Sequence, residues 1–189
     1  MRIITGSARG TKLLTLSGDA TRPTAERTKE AVFSMIQFDI EGRRVLDLFA
    51  GSGQLSLEAL SRGASDAVLC DSSKDAAEII KKNTERTRMT DRVKLFSCDS
   101  LKLVPRLAGN QFDLVFLDPP YALKLIPSAL SSMLSNGIFK STTIIVCESA
   151  NAEDVFCGNA ELENSFEVKK QAKYGAAFVT LLQPKEDVL

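Results

Sequence analysis

The sequence predicts an α/β fold in which a mostly parallel sheet is covered by helices on both faces. Predicted strands and helices alternate from residue 45 onward, which is the pattern typical of such sheets. The strands are short, continuous apolar runs, as expected where both faces of a strand are buried. A glycine-containing turn, GSG at residues 51–53, follows the first of these strands. The length of 189 residues fits one domain.

Each element has its own signal in the chain. Residues 2–16 predict a small hairpin of two strands around a glycine-containing turn. A helix is expected to begin near Pro23 or Thr24, because proline suits the first turn and threonine the cap. The predicted alternation then runs through strand 45–49, helix 54–61, strand 66–70, helix 74–86, strand 93–98, a short helix ending near 109, strand 112–117, helix 127–135 and strand 143–147.

The last two predicted strands, 166–173 and 176–182, are joined by only two residues. Such a short connection requires that they run antiparallel. No linker, repeat or low-complexity stretch interrupts the chain. We therefore predict a small N-terminal hairpin and helix appendage over residues 1–40 and a sheet domain over residues 41–189.

Composition excludes several classes of function. The chain contains no histidine, which excludes Ser-His-Asp and Cys-His catalysis, histidine-ligated metals and a histidine general base. Its cysteines lack Cys-x-x-Cys spacing, and Cys70, Cys98 and Cys147 lie in or at the end of apolar strands. They predict buried thiols in a reducing compartment, with no disulfide framework and no zinc site. With no apolar run near the ~20 residues of a membrane span and no signal-peptide core, we expect a cytoplasmic protein without a metal.

The charge is unevenly distributed, although the net charge is zero. Residues 1–29 hold six basic and two acidic side chains, whereas residues 141–167 hold six acidic and no basic ones. A neutral protein is not a general nucleic-acid coat, but a basic segment can dock a polyanion locally. The predicted contacts are Arg9, Lys12, Arg22 and Arg27. The alternative is that the two later arginines pair with neighbouring glutamates in a structural role.

Glycines and acidic residues follow the first strands of the sheet. Ligands of open α/β sheets bind beyond the carboxyl ends of the strands, near the switch point. Gly51 and Gly53 allow the backbone to approach a ligand closely. Ser56 replaces the third glycine of G-x-G-x-x-G, so the dinucleotide fingerprint is incomplete. The four consecutive strand ends carry Asp47 with Gly51, then Asp71, Asp99 and Asp118.

These carboxylates together outline a ligand that contains adenosine, although each aspartate alone is common in loops. Asp71 is placed to hold ribose hydroxyls, and Asp99 to accept from an adenine amino group. An acidic pocket would repel a pyrophosphate, and no P-loop motif is present. A nucleoside with a cationic tail fits better, and S-adenosylmethionine is such a molecule. The predicted cofactor-binding residues are Asp47, Phe49, Gly51, Gly53, Asp71, Ser72, Asp99 and Ser100.

The sequence FLDPPYAL, residues 116–123, ends the fourth predicted strand with a stiff turn. Asp118 ends the strand, since aspartate and proline are poor strand residues. Pro119 and Pro120 fix two φ angles and remove two N–H donors, leaving backbone carbonyls as acceptors. Tyr121 adds an aromatic face. This platform offers acceptors and a stacking surface; the alternative is a strand-to-helix turn with no further role.

VLDLFAGSG and the later DPPY resemble the class I S-adenosylmethionine-dependent methyltransferases that modify exocyclic amines. MRIITGSARGTKLL, ATRPTAERTKEAVFSMI, LDLFAGSGQLSLEALSRGAS and the late YGAA narrow the resemblance to the RsmD-type family, in order over nearly the whole chain. DPPY alone is shared with DNA adenine methylases. The resemblance implies a Rossmann-like three-layer sandwich, with a seven-stranded sheet whose last strand is inserted antiparallel. It also implies methylation of guanine N2 in bacterial small-subunit ribosomal RNA.

The resemblance also implies the roles of the site residues. Asp118, Pro119, Pro120 and Tyr121 would hold the target base. Separately, the modest basic patch favours a small-subunit assembly particle as the substrate, and no coiled-coil pattern or long apolar edge suggests more than a monomer. The chain departs from the family pattern at Thr5, Gln54, Ser56, Asp71 and Ala176. These departures affect positions that the resemblance links to cofactor affinity and RNA docking. The alternatives are a DNA adenine-N6 methyltransferase, a protein glutamine-N5 methyltransferase, a non-catalytic ribosome-assembly factor and, as the weakest, a dehydrogenase.

Overall fold

The structure is a computed structural model and describes residues 1–16 and 23–188. The helices are α1 (Pro23–Met35), α2 (Gln54–Ser61), α3 (Lys74–Thr87), α4 (Ser100–Leu103), α5 (Ile126–Ser135) and α6 (Ala160–Ser165). The strands are β1 (Arg44–Asp47), β2 (Asp66–Asp71), β3 (Val93–Ser97), β4 (Phe112–Leu117), β5 (Phe139–Ser149), β6 (Phe166–Tyr174) and β7 (Ala177–Pro184).

The strands form a seven-stranded sheet in the order β3-β2-β1-β4-β5-β7-β6. The first five run parallel, and β7 pairs antiparallel with both β5 and β6. The chain order reverses direction between β1 and β4, so this is the switch point of the sheet. Asp47 lies beside Leu69 on one side and Phe116 on the other. The carboxyl ends of β1, β2 and β4 therefore meet at one edge.

Helices cover both faces of the sheet. α1, α2 and α3 bury one core, which includes Phe33 and Leu57. α4, α5 and α6 bury the other, which includes Leu103 and Leu130. The apolar strands contribute to both cores, as their continuous hydrophobic sequences predict. The three layers hold the edge at the switch point rigidly.

The N-terminal segment, residues 1–16, has the hydrogen bonds of a narrow hairpin. The Ile3 N–H donates to the Thr11 carbonyl at 3.0 Å, and the Gly10 N–H donates to the Ile3 carbonyl at 2.9 Å. The pairing is limited to one antiparallel bridge, between Arg2 and Lys12, so the two predicted strands are not formed within these residues. Ile3 lies in the core of α1–α3. A boundary at residue 40 stays a prediction.

The predicted sheet and its antiparallel last strand are confirmed. Helix 54–61 and strand 112–117 have their predicted bounds. Besides the N-terminal strands, the largest differences from the prediction are that β5 extends well beyond 143–147, that α6 was not predicted, and that β1 ends at Asp47, two residues before the predicted end. The four cysteines are free thiols, with the Sγ atoms of Cys70 and Cys98 3.9 Å apart.

Candidate active site

A cavity of about 790 Å³ opens at the carboxyl edge of the sheet. It lies over the ends of β1, β2 and β4 and the loop after β3. Eleven of the twelve predicted catalytic and cofactor-binding residues line it: Asp47, Phe49, Gly51, Asp71, Ser72, Asp99, Ser100, Asp118, Pro119, Pro120 and Tyr121. Its volume is in the range of ~300–1,000 Å³ typical of small-ligand sites. The structure thus brings the separate sequence signals into one site.

Asp71 orders the glycine loop. Its Oδ2 accepts from the Gly51 N–H at 2.8 Å, and its Oδ1 accepts from the Ser73 N–H at 2.8 Å. The carboxylate therefore ties the turn after β1 to the start of α3. A Cβ added at Gly51, which has φ +54°, would meet no protein atom within 4 Å. The backbone at Gly51 consequently faces the cavity and can approach a ligand closely.

Gly53 has a packing role besides the one predicted. It is buried and does not line the cavity. A Cβ there would come within 3.3 Å of the Leu69 side chain and 3.5 Å of Ile80 and Leu57, and its φ is +77°. The glycine is required because α2 begins with a left-handed residue against a packed core. Gly53 therefore shapes the loop from beneath the cavity, and its contact with a cofactor stays a prediction.

Asp47 is the most buried carboxyl group of the cavity, with 2% of the residue exposed. The Ser56 hydroxyl donates to its Oδ2 at 2.9 Å, and the Phe49 N–H donates to its Oδ1 at 3.4 Å. Burial raises the pKa of Asp47 to about 7, the hydrogen bonds from Ser56 and Phe49 oppose this rise, and the charge of Asp71 adds to it. Ser56, which breaks the glycine fingerprint, thus stabilises the buried carboxylate.

Asp99 and Ser100 lie where β3 gives way to α4. Asp99 caps α4, because its Oδ1 accepts from the Lys102 N–H at 3.0 Å. This is a structural role that the sequence also allowed. Asp99 is nevertheless exposed and lines the cavity. The same residue therefore caps α4 and forms part of the cavity wall. Ser72, at the corresponding position after β2, is exposed beside it.

The platform residues rise at the rim of the cavity. Pro119 is buried, and Pro120 and Tyr121 are exposed. The Tyr121 hydroxyl donates to Glu148 Oε1 at 2.6 Å, which fixes the orientation of the ring. Burial, followed by the bond to Glu148, raises the pKa of Tyr121, so the phenol stays protonated near neutral pH. Asp118 lines the cavity at the end of β4.

Glu148 is a site residue that the sequence reasoning missed. It lies on β5 next to Cys147, which pairs with Leu117, so it stands beside Asp118 on the neighbouring strand. Burial raises the pKa of Glu148, while the bond from Tyr121 opposes this. Met1, Thr15 and Leu16 of the N-terminal segment also line the cavity. Only the pairing of β4 with β5 and the docking of residues 1–16 reveal these contributions.

Three of the predicted nucleic-acid contacts are exposed: Arg9, Lys12 and Arg27. Arg22 lies outside the described residues. Within the described part of the chain, Arg27 forms no ion pair with a neighbouring glutamate. Arg9 and Lys12 belong to the segment whose ends reach the cavity, so the basic surface and the cavity are continuous along the chain.

The structure also bears on metal sites and membrane spans. Across residues 1–16 and 23–188, no three acidic or cysteine side chains come together in a group able to hold a metal ion. Over the same ranges, every helix is too short or too polar to cross a membrane.

Comparison with known proteins gives a consistent result. A family model described as conserved hypothetical protein 95 matches residues 1–183. The ribosomal RNA small subunit methyltransferase D of Haemophilus influenzae is 35% identical over 150 residues, 78% of this chain and 78% of that protein. The protein of the same name from Escherichia coli K12 is 32% identical over 149 residues, 79% of this chain and 74% of that protein.

Solved structures are similar over the whole length. The Escherichia coli protein yhhF, given as a candidate methyltransferase, has a TM-score of 0.83 at 28% identity and covers 98% of both chains. The Haemophilus influenzae protein HI0767, given as a candidate methylase, has a TM-score of 0.79 at 30% identity, again over 98% of both chains. These likenesses include the N-terminal segment as well as the sheet.

Proposed function

The chain belongs to the conserved hypothetical protein 95 family, the RsmD-type methyltransferases, and from this premise we propose that it methylates the exocyclic N2 of a guanine in bacterial small-subunit (16S) ribosomal RNA. S-adenosylmethionine is the proposed methyl donor. The observation that carries the proposal is one cavity that is lined both by the Asp-Pro-Pro-Tyr platform and by the ordered glycine loop. The names of the two curated relatives support RNA as the substrate.

The residues of the cavity fit S-adenosylmethionine. Asp47, Asp71 and Asp99 supply carboxylate acceptors for cationic and hydroxyl groups, and Gly51 leaves its backbone open to the cavity. The turn after β1 is already held by Asp71, so little reordering is needed on binding. When bound, S-adenosylmethionine supplies a methyl group on a positively charged sulfur. Asp47 would hold the cationic tail, and Asp71 and Asp99 the nucleoside.

The platform would act on the base. The amine lone pair of guanine N2 is delocalised into the ring, so the amine is a poor nucleophile. The Asp118 carboxylate and the Pro119 carbonyl would accept hydrogen bonds from the N–H groups of this amine. These bonds would help direct the lone pair toward the methyl group. The consecutive prolines hold these acceptors in place and add no competing donors. Positioning and electrostatic complementarity would then provide most of the rate.

Tyr121 would stack on the target base. Stacking of a base on an aromatic ring contributes ~1–3 kcal/mol, and the Glu148 carboxylate holds the ring through the phenol oxygen. The guanine must leave its helix or loop stack to reach this position. The amine becomes acidic once it is alkylated, so its proton is lost without a strong base. A chain without histidine can therefore complete the reaction.

The test is a transfer assay with labelled S-adenosylmethionine. Small-subunit particles from a strain lacking this protein, naked ribosomal RNA and unmethylated DNA are offered in parallel, and the product nucleoside is identified by mass. We expect N2-methylguanosine from the particles, since the basic N-terminal surface is modest and ribosomal proteins would complete the docking surface. N6-methyladenine from DNA would overturn the proposal that ribosomal RNA is the substrate. Cofactor binding without transfer to any substrate would contradict the enzymatic proposal.

A further inference from the structure

An apolar side chain is held in solvent at the rim of the cavity. Leu123 ends the short 3-10 turn Tyr121–Leu123, and 60% of it is exposed. It lines the same cavity as Asp118 and Tyr121. A single exposed leucine is ordinary on a protein surface and needs no explanation by itself. Its position beside the platform and the contacts that hold its turn indicate a function for this leucine.

The turn is fixed from both sides. Pro119 and Pro120 restrict the backbone before it, and the Leu123 N–H donates to the Pro120 carbonyl at 3.0 Å. The Tyr121 hydroxyl is bound by Glu148 at 2.6 Å. The first of these hydrogen bonds lies within the turn, and the second joins the turn to β5. The backbone that carries Leu123 is therefore held in place on this side.

The backbone after the turn is equally constrained. Lys124 has φ +46°, a left-handed conformation that is uncommon for a residue other than glycine. Its N–H donates to the Tyr121 carbonyl at 3.2 Å, and its ammonium lies 3.3 Å from Asp154 Oδ1. Asp154 is in turn held by Asn151 in a capping box. The structure thus maintains Leu123 in an exposed position by contacts on both flanks.

The proposed substrate indicates what would cover Leu123. A guanine that reaches the platform leaves a gap between its former neighbours in the base stack. That gap is flat and apolar, and leucine is one of the side chains that proteins insert between bases. Leu123 is apolar, is carried on a backbone that is held on both flanks, and lies in the same short turn as the ring on which the extruded base would stack.

We propose that Leu123 enters the RNA base stack at the position vacated by the target guanine and keeps the base extruded against Tyr121. This inference rests on the proposed function, because it assigns a role in handling the same RNA substrate. It assigns no chemistry to Leu123. Loss of its side chain is expected to slow transfer without changing the cofactor pocket.

The experiment compares four proteins: wild type, Leu123→Ala, Leu123→Met and Phe38→Ala. Phe38 is 92% exposed and does not line the cavity, so its truncation is a matched control for losing an exposed apolar side chain. For each protein we would measure kcat/KM for methyl transfer to undermethylated small-subunit particles. The dissociation constant of S-adenosylmethionine by calorimetry and the thermal midpoint would be measured in parallel.

We expect Leu123→Ala to lower kcat/KM about tenfold, the effect of losing one good base contact. Leu123→Met should stay within about twofold of wild type, because methionine keeps the apolar volume. Phe38→Ala should do the same, because Phe38 does not line the cavity. The cofactor dissociation constant and thermal midpoint should be unchanged in all four proteins. Transfer by Leu123→Ala at the wild-type rate would overturn the inference, and so would an equal loss in Phe38→Ala.

Two further outcomes separate the inference from the proposed function. If Leu123→Ala weakens cofactor binding in proportion to its loss of transfer, Leu123 belongs to the cofactor pocket and the stacking role is wrong. If wild-type protein transfers no methyl group to RNA in any form, the proposed function fails, and the role of Leu123 fails with it. A selective loss in Leu123→Ala alongside an active wild type would support both.

Discussion

Asp118 occupies the position on which the proposed chemistry depends most directly. It lines the cavity at the end of β4, and its charge also acts on Tyr121. We expect Asp118→Ala to lower methyl transfer by about 100-fold or more, because an acceptor placed for the transition state is lost. Cofactor affinity and the thermal midpoint should remain close to wild type. Asp91→Asn, at an exposed position outside the cavity lining, is the control; near-normal turnover by Asp118→Ala would refute the mechanism.

The buried carboxyl of Asp47 makes stability depend on pH. Its pKa is raised by burial from 3.8 to about 7, with the Ser56 and Phe49 hydrogen bonds opposing and the Asp71 charge adding to the rise. Between these two pH values the folded protein holds a proton that the unfolded chain has released. The stabilising contribution is therefore complete below pH 3.8 and is lost as the pH rises through about 7. One such proton changes the free energy of unfolding by up to ~1.4 kcal/mol per pH unit.

Asp47→Asn should remove this contribution and flatten the pH dependence of stability between about pH 4 and 7. At pH 8 the variant should unfold at higher denaturant concentration than wild type, since a buried charge is gone. It should also bind S-adenosylmethionine more weakly, because the cationic tail loses its carboxylate. Urea titrations across pH and calorimetry at pH 8 would measure both effects. A variant that keeps the wild-type pH profile would show that Asp47 does not titrate in this window.

At the scale of elements, the N-terminal segment carries the predicted RNA contacts. Arg9 and Lys12 are exposed on this segment, which reaches the cavity through Met1, Thr15 and Leu16. The double change Arg9→Glu and Lys12→Glu should weaken binding to small-subunit particles about tenfold or more and reduce the slope of log affinity against log salt by about 2. Lys169→Glu, on the exposed strand β6, should bind like wild type. An unchanged salt slope in the double variant would rule out the contact role.

The same segment is attached through α2. The buried Glu58 accepts from the Ile4 N–H at 2.7 Å and the Thr5 N–H at 3.0 Å. Its carboxylate also lies 3.4 Å from the Lys29 ammonium and 2.8 Å from the Arg62 Nε. Burial lowers the pKa of Lys29, and the Glu58 charge opposes this, so the lysine depends on its partner to remain charged. One side chain thus joins the segment, α1 and α2.

Glu58→Ala should destabilise the protein by about 3–5 kcal/mol, because it leaves a buried ammonium and two backbone N–H groups without their partner. It should also increase hydrogen exchange at residues 3–14 before the sheet unfolds. Glu78→Ala, which removes an exposed glutamate from a surface ion pair on α3, should cost less than about 1 kcal/mol. Equal destabilisation by the two variants would contradict the role given to Glu58.

The elements that were predicted well have strong local signals. Helix α2 and strand β4 begin and end where glycine, proline and aspartate interrupt apolar sequence. Helix α6 was missed because it has six mostly polar residues, AELENS, and its start depends on the Asn159 cap. β5 was drawn too short because Lys140, Ser141 and Thr142 are polar, although pairing with its neighbours includes residues on both sides of them.

The site shows the same division. The four aspartates were predictable because a parallel sheet must bring the ends of its strands to one edge. The Tyr121–Glu148 bond joins residues 27 apart in sequence and depends on β5 lying beside β4. The packing of Gly53 against Leu69 and Ile80 could not be predicted, because a glycine that faces a ligand and a packed glycine have the same sequence signature.

For the molecule as a whole, the attachment of the N-terminal segment determines when it can be assembled during synthesis. Its backbone contacts Glu58 across 54 residues and Asn83 across 69 residues, so neither partner has left the ribosome when the segment emerges. The first part to be made is therefore among the last that can dock. Until α3 is complete, the nascent chain carries a basic, undocked arm beside the ribosomal RNA of the ribosome that is translating it.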